Sequence, residues 1–152
     1  MSLKAQLEND IKAALLGGHR FRADILRNLK AAILSEEVAK NKRDEGLSDA
    51  EFEQVAAKEV KKRLDSVKQY TDANRPELAE QEASEAKIIE EYLPAQIPEA
   101  EIKVVVEETI AALGVSGPQA MGQVMGAVKG KLGSTADGAT VARLVKEALA
   151  VA

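Results

Sequence analysis

The residues that could do chemistry in this chain are few. His19 is the only histidine, and cysteine is absent. A lone imidazole after Gly17-Gly18 has no second histidine with which to share a metal. Its type and place suit a helix start or a surface position rather than a general base. The missing cysteines remove disulfides, thiolate metal sites and cysteine nucleophiles together. Carboxylates are plentiful, with 25 Asp and Glu against 21 Lys and Arg, but the two signs are interspersed along the chain. That interspersion predicts solvated faces, not a paired acid and base. The expectation is therefore no catalytic set, no metal site and no cofactor.

One segment looks like a phosphate-binding loop at first sight: Gly126-Ala127-Val128-Lys129-Gly130-Lys131-Leu132. Its spacing fails. Three residues separate the two glycines where a P-loop needs about four, and Leu132 stands where a magnesium-binding Ser or Thr belongs. No strand pattern precedes it.

The glycines themselves are more informative. Gly122, Gly126 and Gly130 recur every four residues inside a helical pattern. Each costs about 1 kcal/mol relative to alanine in a helix interior, so a row of them asks for a reason. At about 100° per residue, Met121, Val124, Met125, Val128 and Leu132 cluster within roughly 100° of one another, and the glycines centre about 140° from Met121. The row lies on or near the outward face with Gln119 and Gln123. Lys129 is at its edge, and Lys131 and Gly133 are at its end. Two readings fit: close packing against another helix or domain, or a shaved surface on which an RNA backbone approaches the main chain. In the second reading Gly122, Gly126, Lys129, Gly130, Lys131, Gly133, Arg143 and Lys146 are the RNA-binding residues. Residues 116–152 carry these four cations against Asp137 and Glu147, a modest basic patch in a chain of net charge -4. Two other clusters, Lys58/Lys61/Lys62/Arg63/Lys68 and Arg20/Arg22/Arg27/Lys30, are mixed with acids and read mainly as solvated faces. Neither has aromatic neighbours for stacking on unpaired bases.

The elements that must position these residues are helices throughout. Leu3, Leu7, Ile11 and Leu15 recur every four residues, and Gly17-Gly18 ends that stretch. Ile25, Leu26, Leu29, Ala32 and Ile33 mark a second helix. Ser48-Asp49-Ala50-Glu51 is a capping-box pattern that opens a third, with Phe52, Ala56, Val60, Leu64 and Val67 on one side. Asn74-Arg75-Pro76 breaks it and starts a fourth, carrying Leu78, Ala86, Ile89 and Tyr92. Leu93-Pro94-Ala95-Gln96-Ile97-Pro98 cannot lie inside one helix, because each proline lacks an amide donor and clashes with the preceding turn. This sets the expected boundary: a helical domain over 1–94 and a smaller domain over 95–152. The first holds 16 basic and 19 acidic residues, the second 5 and 6. In the second, Ile102 to Leu113 form one helix stopped at Gly114. Ser116-Gly117-Pro118-Gln119 starts another by a Ser/Gln cap. Asp137 caps a last one carrying Val141, Leu144, Val145 and Leu149. With aromatic residues at 3% and no Trp, the core must be aliphatic. The expected fold is all-α, four helices in hairpins followed by a three-helix tail. No apolar run spans a bilayer and no leader pattern opens the chain, so a cytoplasmic protein without membrane contact is expected.

The second domain carries a family resemblance. Met121-Gly122-Gln123-Val124-Met125-Gly126, Lys129-Gly130-Lys131-Leu132-Gly133, Ala136-Asp137-Gly138, and Val141 with Val145-Lys146 resemble the GatB/YqeY family. So do Glu91-Tyr92-Leu93-Pro94 before Gln96, and Ile25 to Ile33 upstream. The likeness covers nearly the whole chain, in the stand-alone layout. Asn74-Arg75 departs from a Gly-Arg pattern. The resemblance implies a helical domain followed by a three-helix tail. It also implies kinship with the B subunits of the glutamine-dependent amidotransferases acting on Glu-tRNA and Asp-tRNA, carbon–nitrogen ligases whose similar tail contacts tRNA. Their large catalytic domain has no counterpart here. The expectation is a non-catalytic binder of tRNA or other structured RNA. The alternative is an adaptor whose glycine face docks a protein partner of the translation machinery.

Overall fold

The computed structural model describes residues 1–151. Seven α-helices and two short 3-10 turns make up the regular structure, with no strand among the described residues. The helices are α1 (Leu3–Leu16), α2 (Arg20–Ala39), α3 (Asp49–Asp72), α4 (Pro76–Glu90), α5 (Glu99–Leu113), α6 (Met121–Leu132) and α7 (Gly138–Val151). Contacts divide the chain into two compact units, Met1–Leu93 and Pro94–Ala152.

In the first unit, Ser2 Oγ accepts from Ala5 N and opens α1. Both arms of the capping box form at α3: Glu51 N donates to Ser48 Oγ at 3.2 Å, and Ser48 N donates to Glu51 Oε1 at 3.1 Å. Lys42 and Lys40 also reach that carboxylate, at 2.8 and 3.2 Å. These bonds, Lys42's first, hold the Glu51 carboxyl down at about 2. Helix α3 ends where Asn74 turns left-handed at φ 57°. Asparagine is among the side chains that tolerate this region best, which is why it can replace glycine before Arg75. Pro76 then opens α4, and α3 and α4 pack along each other as the unit's most extensive pair. Leu7, Leu26, Leu29, Ile33, Phe52 and Ile89 form the centre of the core.

Several positions depart from the sequence reading. Leu15 and Leu64 sit on their stripes, yet each is about half exposed. Tyr92 lies in the turn after α4, not within it. It is buried against the Phe52 ring at a centroid distance of 5.9 Å and donates to Asp10. Burial first, then the Asp10 carboxylate, pushes its phenol well above the usual range. Glu37 contradicts the expectation of solvated carboxylates. It continues the Leu26–Ile33 stripe of α2 one turn further, is 1% exposed, and accepts from Lys4 Nζ at 2.7 Å. A buried carboxylate is tolerable only with such a partner.

In the second unit, Ile102, Val106, Val124, Val128, Val141 and Val145 build an aliphatic core between α5, α6 and α7. Gly114, at φ 64°, closes α5 in the left-handed conformation that favours glycine. The Ser/Gln cap expected before α6 does not form. Gly117, at φ 83° and ψ 164°, leads into a 3-10 turn over Pro118–Ala120 that has no side-chain cap, and α6 begins only at Met121. Pro118 takes the first turn position, where its missing amide costs nothing. Asp137 does cap α7: its Oδ2 accepts from Thr140 N and Oγ1, both at 3.0 Å.

Candidate nucleic-acid interface

Helix α6 has two unlike faces. Val124 and Val128 are fully buried on one side, while Gly122, Gly126 and Gly130 are exposed on the other. A β-carbon added at any of the three glycines meets no atom within 4 Å. The row is therefore an open strip of main chain that packs on nothing within its own unit. A β-carbon is not sterically excluded there, so the glycines are not required by close packing at the main chain.

The cations expected around this strip divide into three kinds. Lys129 and Lys146 are exposed, and among the described residues the ion pairs of their unit join Arg143 to Glu99 and Glu147 and include neither lysine. Arg143 is thereby largely neutralised, and the Glu99 bond foremost holds its proton more tightly. Lys131 is committed elsewhere. Its Nζ donates at 2.9 Å to Oγ1 of Thr109 on α5, and that hydroxyl donates in turn to Val105 O at 2.6 Å. Lys131 follows Gly130 by one residue, so the helix carries it about 100° round from that glycine and away from the row. Gly133 ends α6 at φ 54° and ψ -132°, a backbone conformation closed to L side chains, so its glycine has a structural cause of its own. The two basic clusters of the first unit are partly spent in ion pairs. Arg63 is enclosed between Glu59 and Glu85, Lys62 pairs with Glu59, Arg22 with Glu91 and Lys30 with Glu8.

Among the described residues no group of three or more His, Cys, Asp and Glu is arranged to hold a metal ion. His19 stands exposed just before α2 and makes no capping bond. No helix is long and apolar enough to cross a membrane.

The family described as Yqey-like protein matches residues 4–149. The chain belongs to the YqeY family. Among its relatives is the protein named altered inheritance of mitochondria protein 41, mitochondrial, in three yeasts. The Lachancea thermotolerans protein is 32% identical over 117 residues, 75% of this chain and 61% of its own length. The Kluyveromyces lactis protein is 32% identical over 91 residues, and the Clavispora lusitaniae protein 30% over 94, each 60% of this chain. The YqeY chain spans only about half to three-fifths of these relatives' lengths.

Two side chains that shape the second unit of this YqeY chain carry no local sequence signal. Thr109 is fully buried, and its role is fixed by Lys131, 22 positions away. Gln96 Nε2 donates to Pro94 O at 3.0 Å and to Ser134 O at 2.8 Å, the latter 38 positions away. Neither distance leaves a trace in local periodicity.

Proposed function

We propose that this YqeY chain is a non-catalytic RNA-binding accessory protein, and that the open face of α6 is its contact surface for tRNA or similarly folded RNA. The observation that carries the reading is the row Gly122, Gly126 and Gly130, which faces open space while Lys129 stands exposed beside it. A helix face without side chains lets a sugar-phosphate backbone come close to the main chain, and Lys129 supplies a phosphate partner. Recognition would be of shape and backbone, since the face has no aromatic residue for stacking. The resemblance to the tail of amidotransferase B subunits, which contacts tRNA in those proteins, supports the same ligand. The ligase chemistry of those subunits is not part of the proposal, because activity resides in a site and not in a shared tail. The two compact units are read as two domains, a four-helix body over 1–94 and a three-helix tail over 95–152. The tail contact consists of Gly122, Gly126, Lys129, Gly130 and Gly133, with Lys146 on α7. Lys131 and Arg143 serve the tail's own structure. The absence of cysteine supports a reducing compartment such as the cytoplasm, and cell fractionation would check it.

A band-shift titration with bulk tRNA at rising salt tests the reading. Binding at low salt that weakens as salt rises is expected, with Lys129→Ala weaker than wild type. Failure of the wild-type chain to bind at low salt would remove the proposal. A stoichiometric protein partner that survives nuclease treatment would favour the adaptor role instead.

A further inference from the structure

We infer that Gln96 is a positioning residue, a latch that fixes the turn between α6 and α7 and hence the end of the proposed contact face. The bearing on RNA rests on the function proposed above; the latch itself rests on geometry.

A helix leaves its last carbonyls without intrahelical donors. After α6 the chain passes through Gly133-Ser134-Thr135 before α7 begins. Three donors converge on this stretch. Thr135 Oγ1 donates to Leu132 O at 2.6 Å, Gln96 Nε2 to Ser134 O at 2.8 Å, and Ile97 N to Thr135 O at 2.9 Å. Two of the three come from the segment before α5, nearly forty residues upstream. The other proton of the Gln96 amide goes to Pro94 O at 3.0 Å, so both of its N–H groups are used. Pro94 has a fixed φ, and its carbonyl is tied to the same amide. The glutamine thus holds the upstream segment in shape and holds that segment against the turn. Ile97 adds an apolar anchor by packing on the unit's core.

Only an amide meets these demands at this length. Alanine leaves two carbonyls without their donor. A carboxylate offers acceptors alone and brings negative charge to the negative end of a helix. Gln96 itself is exposed, and the Ile97 backbone bond survives its replacement, so the variants should fold.

The experiment uses the full-length chain with Gln96→Ala and Gln96→Glu. Amide hydrogen exchange of Ile97 is followed by NMR, with Val124 and Val128 in α6 as internal references. In Gln96→Ala, Ile97 should exchange about three- to tenfold faster, the range one lost hydrogen bond sets, while the α6 amides keep their rates. Gln96→Glu should match it at neutral pH and return toward wild type, measured at equal pH, as its carboxyl takes up a proton near about 4.3. A positioning role also predicts that Gln96→Ala weakens tRNA binding about three- to tenfold with the salt slope unchanged, whereas Lys129→Ala lowers the slope. Ile97 exchange at the wild-type rate in both variants would overturn the latch, whatever the RNA result. Faster Ile97 exchange in Gln96→Ala, together with a wild-type chain that binds no RNA, would support the latch and remove the functional reading.

Discussion

Lys131 Nζ donates to Thr109 Oγ1 at 2.9 Å, tying the last turn of α6 to a fully buried hydroxyl on α5. Lys129, two residues earlier, makes no such commitment. Two lysines that look equivalent in the sequence therefore have different work.

That difference predicts a clean separation between variants. Lys131→Ala should lower stability by about 1 kcal/mol, the net value of one such hydrogen bond. Lys129→Ala should change stability by less than about 0.5 kcal/mol, as exposed substitutions usually do. Urea unfolding of both proteins measures it. On tRNA the order should reverse, with Lys129→Ala losing more affinity.

The glycine row gives a second prediction, in which stability and binding move in opposite directions. Because a β-carbon at Gly122, Gly126 or Gly130 meets open space, each Gly→Ala substitution should stabilise α6 by up to about 1 kcal/mol. Gly126→Leu should also fold, and should weaken tRNA binding by keeping the backbone at a distance. Thermal unfolding and a binding titration on the same samples check both halves. A Gly126→Leu protein that binds as well as wild type would show that the strip is not a close-contact surface.

The buried pair Lys4–Glu37 supplies a third. Lys4→Met leaves a carboxylate, 1% exposed, without its cation. Breaking a buried pair costs about 3–5 kcal/mol, and the partial exposure of Lys4 brings the expectation to about 2 kcal/mol. Lys4→Met/Glu37→Met should recover part of that loss, which a double-mutant cycle in urea would measure.

Glu51 provides a pH test. Its folded carboxyl titrates at about 2, below the ordinary 4.5, because it accepts from Lys42, Ser48 and Lys40. A depressed folded value means the contribution is fully present above about pH 4.5 and is lost as the pH falls toward 2. Glu51→Gln keeps the bond from Ser48 N but loses the charge that Lys40 and Lys42 face. Wild type should be the more stable at pH 6, and most of the gap should be gone by pH 2. A gap that stays constant over that range would contradict the assignment.

Much of the fold was legible because helices write themselves locally. The Ser48/Glu51 box, the Asp137 cap, Pro76 and Gly114 each act within four residues, and each formed as the sequence implied. What was not legible depended on distant partners. The acid at position 37 is buried because Lys4 reaches it from another helix. Ser116 fails as a cap because the positive φ of Gly117 and the ring of Pro118 insert a 3-10 turn before α6. The outward direction of the glycine row could be read from helical geometry, but whether anything covered it could not. The row is open within its unit, which removes the reading as an internal packing seam there. That Lys131 at the end of the row donates to Thr109 could not be read from the sequence, because Thr109 lies 22 residues upstream on another helix.

If the open face of α6 meets RNA, amide chemical-shift mapping during a tRNA titration will locate the contact there. The largest changes should fall at Gly122, Gly126, Lys129, Gly130 and Gly133 and be reversed by added salt, with the buried amides of Val124 and Val128 moving less. Shifts confined to other surfaces, such as the exposed lysines of α3, or no shifts at low salt, would contradict it.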